Sequence, residues 1–73
     1  MNATVDSIDV RINGELKRIP AQLPLVEVLK VIGVAPERVA VELNREIVRK
    51  REWNSTLVPA GAEIEIVEFV GGG

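Results

Sequence analysis

The sequence predicts an α+β fold in which one main helix packs on one face of a four- or five-stranded sheet. Two alternating apolar segments around a turn predict an N-terminal hairpin, an apolar stripe of helical period follows, and alternating segments then return. At 73 residues the chain fits one domain, because a second core would leave each half too small to offset its ordering entropy. We expect residues 1–70 to form this domain and residues 71–73 to form a flexible tail.

The first predicted element is a hairpin. Three apolar residues alternate with polar ones in its first strand: Ile8, Val10 and Ile12. This alternation is typical of a strand with one buried face. Asn13 and Gly14 tolerate the positive φ angles of a type I′ turn, so residues 15–19 should return as the second strand. In that strand we expect Leu16, and with it Ile19, to turn inward.

The helix is predicted by one apolar stripe. Its members lie at positions i, i+3, i+4 and i+7: Leu25, Val28, Leu29 and Ile32. Pro24 suits the first helical position, and Gly33 suits the residue just past the end. Val26 and Val31 lie off the stripe, and β-branched residues lose side-chain freedom in a helix. We therefore expect the helix to depend on packing against the sheet.

Two strand segments and an irregular segment follow. Alternation over residues 39–43 predicts a third strand, Asn44 and Arg45 predict a turn, and residues 46–48 predict a short fourth strand. Residues 49–57 are expected to be irregular or to form a single helical turn.

The last predicted strand, residues 63–70, departs from its own alternation. Ile64 and Ile66 face one way, but Val67 and Phe69 then occupy the formerly polar face. Either a bulge shifts the register, or both faces of the end of the strand are covered.

Composition excludes several classes of function. Nine basic and eleven acidic residues give a formal charge of −2, so we expect no nucleic-acid partner. The chain has no cysteine and no histidine, which excludes thiolate metal sites and removes the commonest general base. We expect no bound metal or cofactor.

No segment has the length and hydropathy of a membrane span, and the N-terminus lacks a signal-peptide pattern, so we expect a cytoplasmic protein without a membrane partner.

The most informative feature is the run Gly71, Gly72 and Gly73. Without Cβ atoms these residues can enter a channel too narrow for side chains, and three extended residues reach about 10 Å. The Gly73 carboxylate is ionised at neutral pH and can attack the α-phosphorus of ATP in a partner enzyme. A sulfur donor can then displace AMP and leave a thiocarboxylate. Taken alone, the glycines are also compatible with an ordinary frayed end.

The order of elements resembles the β-grasp fold of ubiquitin. In that fold the helix crosses behind a mixed sheet and the last strand runs centrally beside the first. The mixed character and the parallel pairing are implied by this likeness, because periodicity alone does not indicate strand direction.

Five segments carry a more specific likeness: Val-Glu-Leu-Asn at 41–44, Glu-Ile-Val at 46–48, Arg-Glu-Trp at 51–53, Gly-Ala-Glu-Ile-Glu-Ile-Val at 61–67, and Phe-Val-Gly-Gly-Gly at 69–73. Together they resemble the ThiS family, the sulfur carriers of thiamine thiazole biosynthesis. The chain departs from the common family pattern at Arg45, where glycine is usual, at Arg49, where proline is frequent, and at Ala60 and Ala62, where acidic residues are usual.

The resemblance implies a carrier without catalysis of its own, with Gly73 as the group that is modified. It implies adenylation by an E1-like, ThiF-type enzyme that uses ATP, sulfur from a donor such as a cysteine desulfurase, and transfer to a ThiG-type thiazole synthase. We expect the free protein to be a monomer.

Partner contacts are expected beside the tail. Val67, Phe69 and Val70 lie where the strand pattern fails, and an exposed apolar patch there suits a partner that holds the tail. Trp53 is expected to cap the edge of the core. We expect two groups of charged residues to be exposed to solvent. They are a basic loop of Arg45, Arg49, Lys50 and Arg51, and a sheet face with Glu63, Glu65 and Glu68.

Three other functions fit the same residues. The chain could be a sulfur carrier for molybdopterin or another sulfur-containing metabolite, or a ubiquitin-like modifier joined to lysines of target proteins. It could also be a β-grasp interaction domain with a chance glycine end. The third glycine and the Arg-Glu-Trp segment favour the thiamine carrier.

Overall fold

A computed structural model describes residues 6–69, which form a five-stranded sheet with one helix on one face. The strands are β1 (Ser7–Ile12), β2 (Glu15–Pro20), β3 (Val39–Leu43), β4 (Glu46–Val48) and β5 (Glu63–Glu68). The helix is α1 (Leu25–Val31), and 3₁₀ turns occupy Pro36–Arg38 and Lys50–Glu52. The strand order is β2-β1-β5-β3-β4, with β5 parallel to β1 and antiparallel to β3. The predicted β-grasp fold and its mixed sheet are confirmed.

The N-terminal hairpin has the predicted turn, but one of its residues was assigned to the wrong face. Asn13 adopts a φ of 51°, as a type I′ turn requires. Ile8 pairs with Ile19, and Arg11 pairs with Leu16. Because paired residues share a face, Ile19 joins the core, whereas Leu16 points outward and is 60% exposed. The inward prediction for Leu16 was wrong, since two strand residues separated by an odd number cannot share a face.

Helix α1 begins against the loop that follows β4. Pro24 is the N-cap rather than the first helical residue, with an extended ψ of 158°. No side chain among the described residues caps the first turn. Instead, the N–H of Leu25 donates to the carbonyl of Thr56 (2.7 Å), and that of Val26 donates to the carbonyl of Trp53 (3.3 Å). These bonds satisfy N–H groups that the helix leaves unpaired. Gly33 follows the helix end with a φ of 79°, as predicted.

The core lies between α1 and the inner face of the sheet. Its buried members are Ile8, Val10, Ile12, Ile19, Leu25, Val28, Leu29, Val41, Trp53, Val58, Ala62 and Ile64. Trp53 is 3% exposed, and its Nε1 donates to the carbonyl of Val48 at 2.9 Å, so its predicted place at the core is confirmed. Within residues 6–69 the core contains no polar or charged residue. Burial of this apolar surface is therefore the main contribution of the core to stability.

Strand β5 keeps one register with β3 along its whole length. Pairing is continuous from Leu43 with Ile64 to Val39 with Glu68, so no bulge interrupts it. Val67 therefore stays on the outer face, where it is exposed. Neither sequence alternative holds in the described chain, because the register does not shift and the outer face at this end is not covered. The strand ends at Glu68, and Val70, together with the predicted domain boundary, lies outside the described residues.

Candidate functional site at the end of β5

The first half of β5 is bonded on both sides. On the β1 side, the N–H of Arg11 donates to the carbonyl of Ala62 (2.9 Å), and the N–H of Asn13 donates to that of Ile64 (2.8 Å). On the β3 side, the N–H of Asn44 donates to the carbonyl of Glu63 at 2.7 Å. The direction in which β5 leads the chain toward its C-terminal residues is thus fixed by two neighbouring strands.

Two turn asparagines add side-chain bonds to the same strand. Asn44 Oδ1 accepts from the N–H of Glu63 (2.9 Å), and Asn13 Oδ1 accepts from the N–H of Ile66 (2.7 Å). Both asparagines have a φ of 51°, in the left-handed region that asparagine tolerates better than most residues. Each asparagine therefore closes a hairpin and also binds the backbone of β5. Sequence reasoning identified the turns but missed these side-chain bonds, which periodicity does not indicate.

The second half of β5 presents apolar side chains to solvent. Val67 is 59% exposed on the outer face, and Phe69, just past the strand, is 56% exposed. The backbone at Phe69 is nevertheless fixed, because its N–H donates to the carbonyl of Arg38 at 2.7 Å. Both side chains are accessible, as their predicted partner contact requires, and that contact stays a prediction. The other predicted site residues, Val70, Gly71, Gly72 and Gly73, lie outside the described residues.

The charged residues around β5 are exposed to solvent, and one of them, Glu68, lies on the opposite face of the sheet from the predicted one. Glu63 and Glu65 lie on the outer face as predicted, but Glu68 lies on the helix side, because its even position shares a face with Ile66. Arg45 Nε lies 3.8 Å from a carboxylate oxygen of Glu63, and exposed pairs of this kind contribute little. The predicted basic loop is exposed at all four positions: Arg45, Arg49, Lys50 and Arg51.

An open cleft of about 840 Å³ lies on the helix side of this end of the sheet. It lies where the sheet continues beyond the C-terminal end of α1. Its apolar lining includes Ile12, Val34 and Ile66, and its charged lining includes Lys17 and Glu68. The end of β5 therefore has accessible apolar surface on both faces.

Residues 6–69 contain no cluster of three or more His, Cys, Asp or Glu side chains that could hold a metal ion. Across the same residues, no helix combines the length and hydropathy needed to cross a membrane.

Residues 10–73 match the model of the ThiS family, a match that includes β5 and the three glycines after it. The chain belongs to the ThiS family. The crystal structure of thiamine biosynthesis protein ThiS from Geobacter metallireducens is similar, with a TM-score of 0.80 and 32% identity. That alignment covers 90% of this chain and all of the Geobacter chain. An NMR structure of a thiamine biosynthesis protein from the same organism is also similar, with a TM-score of 0.74.

Two longer proteins contain a region similar to this chain. A protein named thiazole synthase from Paramagnetospirillum magneticum is 42% identical over 62 residues, and one from Magnetococcus marinus is 36% identical over 64 residues. The alignments cover 85% and 88% of this chain, respectively, but it spans only about a fifth of either relative. An uncharacterized protein, ycf40, from Porphyra purpurea is 33% identical, with 92% of this chain and 94% of that protein aligned.

Proposed function

We propose that this chain is the sulfur carrier for thiazole formation in thiamine biosynthesis and that it carries sulfur as a thiocarboxylate at Gly73. The observation that supports this most strongly is the ThiS family match, which continues through the last glycine. The exposed Phe69 and Val67 just before the tail also support it, because a tail that enters an enzyme needs an adjacent surface that the enzyme can hold.

The proposed chemistry begins with an oxygen of the Gly73 carboxylate. It attacks the α-phosphorus of ATP, pyrophosphate leaves, and a mixed anhydride of the carboxylate with AMP forms. Hydrosulfide then attacks the carbonyl carbon, AMP leaves with the bonding electrons, and a thiocarboxylate remains. A persulfide donor gives an acyl disulfide instead, and a thiol then cleaves its S–S bond to release the thiocarboxylate and a new disulfide. The charged sulfur is a much better nucleophile toward carbon than the original carboxylate.

In this scheme the described residues position the tail, and the reacting group is the Gly73 carboxylate. Hydrogen bonds from β1, from the chain on the β3 side and from two turn asparagines hold the backbone of residues 62–69, the segment that leads into the tail. Positioning of this kind is needed because attack requires the reacting atoms to be about 3 to 3.5 Å apart in the correct orientation.

Three partners complete the proposal: an E1-like, ThiF-type enzyme that binds ATP, a sulfur donor such as a cysteine desulfurase, and a ThiG-type thiazole synthase. The similarity of this chain to about a fifth of two proteins named thiazole synthase supports the last of these. In this scheme the chain is a co-substrate that its partners modify, not a catalyst.

Intact mass spectrometry tests the proposal. Purified protein is incubated with ATP, the cognate activating enzyme and sulfide, and we expect a mass change equal to one sulfur-for-oxygen exchange. Omission of ATP is the control and should abolish the change. The chemistry requires a free carboxylate on Gly73, and the mass of the starting protein checks this requirement.

Two results would overturn the proposal. One is the absence of the sulfur-for-oxygen exchange with an activating enzyme that modifies another ThiS protein in parallel. The other is recovery of the protein joined to lysines of other proteins, with no supply of sulfur to a thiazole synthase, which would favour the modifier function.

A further inference from the structure

Among residues 6–69, the end of β5 has a neighbouring strand on one side only. The pairing of β1 with β5 stops at Ile12 with Ile64, whereas β5 continues to Glu68. On the other side β3 pairs with β5 through its last residue, and beyond it the N–H of Phe69 donates to the carbonyl of Arg38. The last residues of β5 therefore form an open edge within an otherwise central strand.

The backbone groups that point to this open edge follow from the alternation along the strand. The carbonyl of Ile64 accepts from β1, and the N–H of Ile66 donates to Asn13, so even-numbered residues direct their backbone groups to this side. The N–H of Phe69 points to the opposite side. By the same alternation, the carbonyl of Ile66 and the N–H and carbonyl of Glu68 point to where β1 has ended.

The side chains next to this edge are accessible on both faces of the sheet. Side chains of a strand laid along β5 would alternate between the two faces of the sheet. On the helix side they would enter the open cleft, whose apolar lining includes Val34 and Ile66. On the outer face they would lie beside the exposed Val67 and Phe69. An extended segment with alternating apolar residues fits both surfaces.

We propose that this open edge is a strand-addition site for an extended segment of the enzyme that activates Gly73. The occupant is inferred from continuity, because Glu68 lies five positions before the carboxylate that the activating enzyme must position. Strand pairing sets register: a slip by one residue moves the chain by about 3.3 Å and exchanges the faces of its side chains. Backbone pairing at Ile66 and Glu68 thus fixes how far the tail reaches. This inference rests on the proposed function.

A proline substitution tests whether backbone pairing at the open edge contributes to activation. Glu68→Pro removes the N–H that points to the open side, while the bonds to β3 come from odd-numbered residues and remain. Glu68→Ala is the matched control, since it removes the same carboxylate and keeps the N–H. In a pyrophosphate-release assay with the activating enzyme, we expect Glu68→Pro to raise KM for the carrier about tenfold, with kcat changed much less. Glu68→Ala should stay within about threefold of wild type in KM.

Hydrogen exchange on the wild-type protein gives a second measurement that does not depend on how the proline variant folds. In the free protein, the Glu68 amide should exchange faster than the Phe69 amide, which is bonded to Arg38. In the complex with the activating enzyme, the Glu68 amide should become protected. Exchange is carried out in the complex, quenched, and read by NMR on the released carrier.

The outcomes separate the two proposals. If wild type is adenylated but Glu68→Pro and Glu68→Ala have equal KM and the Glu68 amide stays unprotected, strand addition is overturned and the carrier function stands. If Glu68 becomes protected with rising carrier concentration in the absence of enzyme, the occupant is a second copy and the inference is wrong. If wild type is not adenylated at all, the proposed function fails, and the inference fails with it.

Discussion

The two halves of β5 belong to one strand but have opposite surroundings. In the first half, β1 and β3 flank the strand and Ile64 is fully buried. Beside the second half, β3 is the one described strand that continues, and Val67 and Phe69 are exposed. The first half therefore stabilises the fold, while the second presents accessible apolar surface next to the glycine tail. We therefore expect substitutions in the first half to lower stability and substitutions in the second half to impair activation.

The largest expected effect comes from the tail beyond the second half. Deleting Gly73, or replacing Gly72 with Val, should abolish adenylation. The deletion moves the carboxylate back by roughly 3.3 to 3.6 Å, which removes near-attack geometry, and valine adds a side chain where the channel should accept only backbone. Pyrophosphate release with the activating enzyme measures the effect. Thermal unfolding is the control and should be nearly unchanged, since neither residue is expected to bury apolar surface. Adenylation of the deletion variant at the wild-type rate would contradict the prediction.

The next largest effect is on stability, and it compares a substitution in the first half of β5 with one in the second half. Ile64→Ala should lower the free energy of unfolding by about 2 to 5 kcal/mol, because truncation leaves a cavity under α1. Val67→Ala, the matched control on the same strand, should change it by no more than about 0.5 kcal/mol. Denaturant unfolding measures both. Equal losses for the two variants would mean that the halves do not differ as described.

Phe69→Ala tests whether the exposed residues at the end of β5 contact the activating enzyme. We expect KM for the carrier to rise about tenfold in the pyrophosphate-release assay, because aromatic side chains at interfaces often contribute over 1 kcal/mol. Leu16→Ala is the control, since Leu16 is also an exposed apolar residue but lies on β2, an edge strand separated from β5 by β1. A similar KM for Phe69→Ala and wild type would exclude Phe69 from the contact.

Asn13 lies where the first half of β5 meets the second, because its side chain accepts from the N–H of Ile66 just beyond the last residue that pairs with β1. Asn13→Gly keeps a residue suited to the turn but removes the acceptor for the N–H of Ile66, which should weaken local protection by about 0.5 to 1.5 kcal/mol. Faster exchange of the Ile66 amide measures it. Asn44→Gly is the control and should instead affect the Glu63 amide. Equal effects of both variants on Ile66 would show that Asn13 has no local role.

The smallest effect concerns the second hairpin turn, Asn44 and Arg45. Arg45 has a φ of 71°, so Arg45→Gly should raise the free energy of unfolding by up to about 1 kcal/mol. Gly14→Ala is the reverse control: its new Cβ would meet no atom within 4 Å, so its expected loss of about 1 kcal/mol comes from backbone strain alone. Chemical denaturation measures both, and a loss of stability in Arg45→Gly would contradict the prediction.

Most of the fold follows from local patterns in the sequence. Alternation and turn residues predict the strands, and the apolar stripe predicts α1, because burial on one face imposes a period on each element. The parallel pairing of β1 with β5 joins residues about 50 positions apart, and no local period indicates it. It came only from the likeness to ubiquitin. Leu16 was misplaced because its hydrophobicity outweighed its position in the alternation.

The candidate site was predictable only in part. The exposed Phe69 could be anticipated, because it interrupts the alternation of an otherwise regular strand. The bond from Asn13 to Ile66 could not, since a turn asparagine has the same local pattern whether or not its side chain binds a distant strand. The role of Gly73 stays a prediction that rests on the family and on the chemistry of a terminal carboxylate.

The burial of Trp53 has a spectroscopic consequence. It is the only tryptophan, and the chain has no tyrosine, so the ultraviolet emission of the protein comes almost entirely from one indole. That indole is enclosed in the core, with its N–H bonded to the carbonyl of Val48. Its emission should therefore shift to the red on unfolding. Because Trp53 is not part of β5 or the tail, loading Gly73 with sulfur should leave the emission unchanged, so that fluorescence measures folding separately from chemical loading.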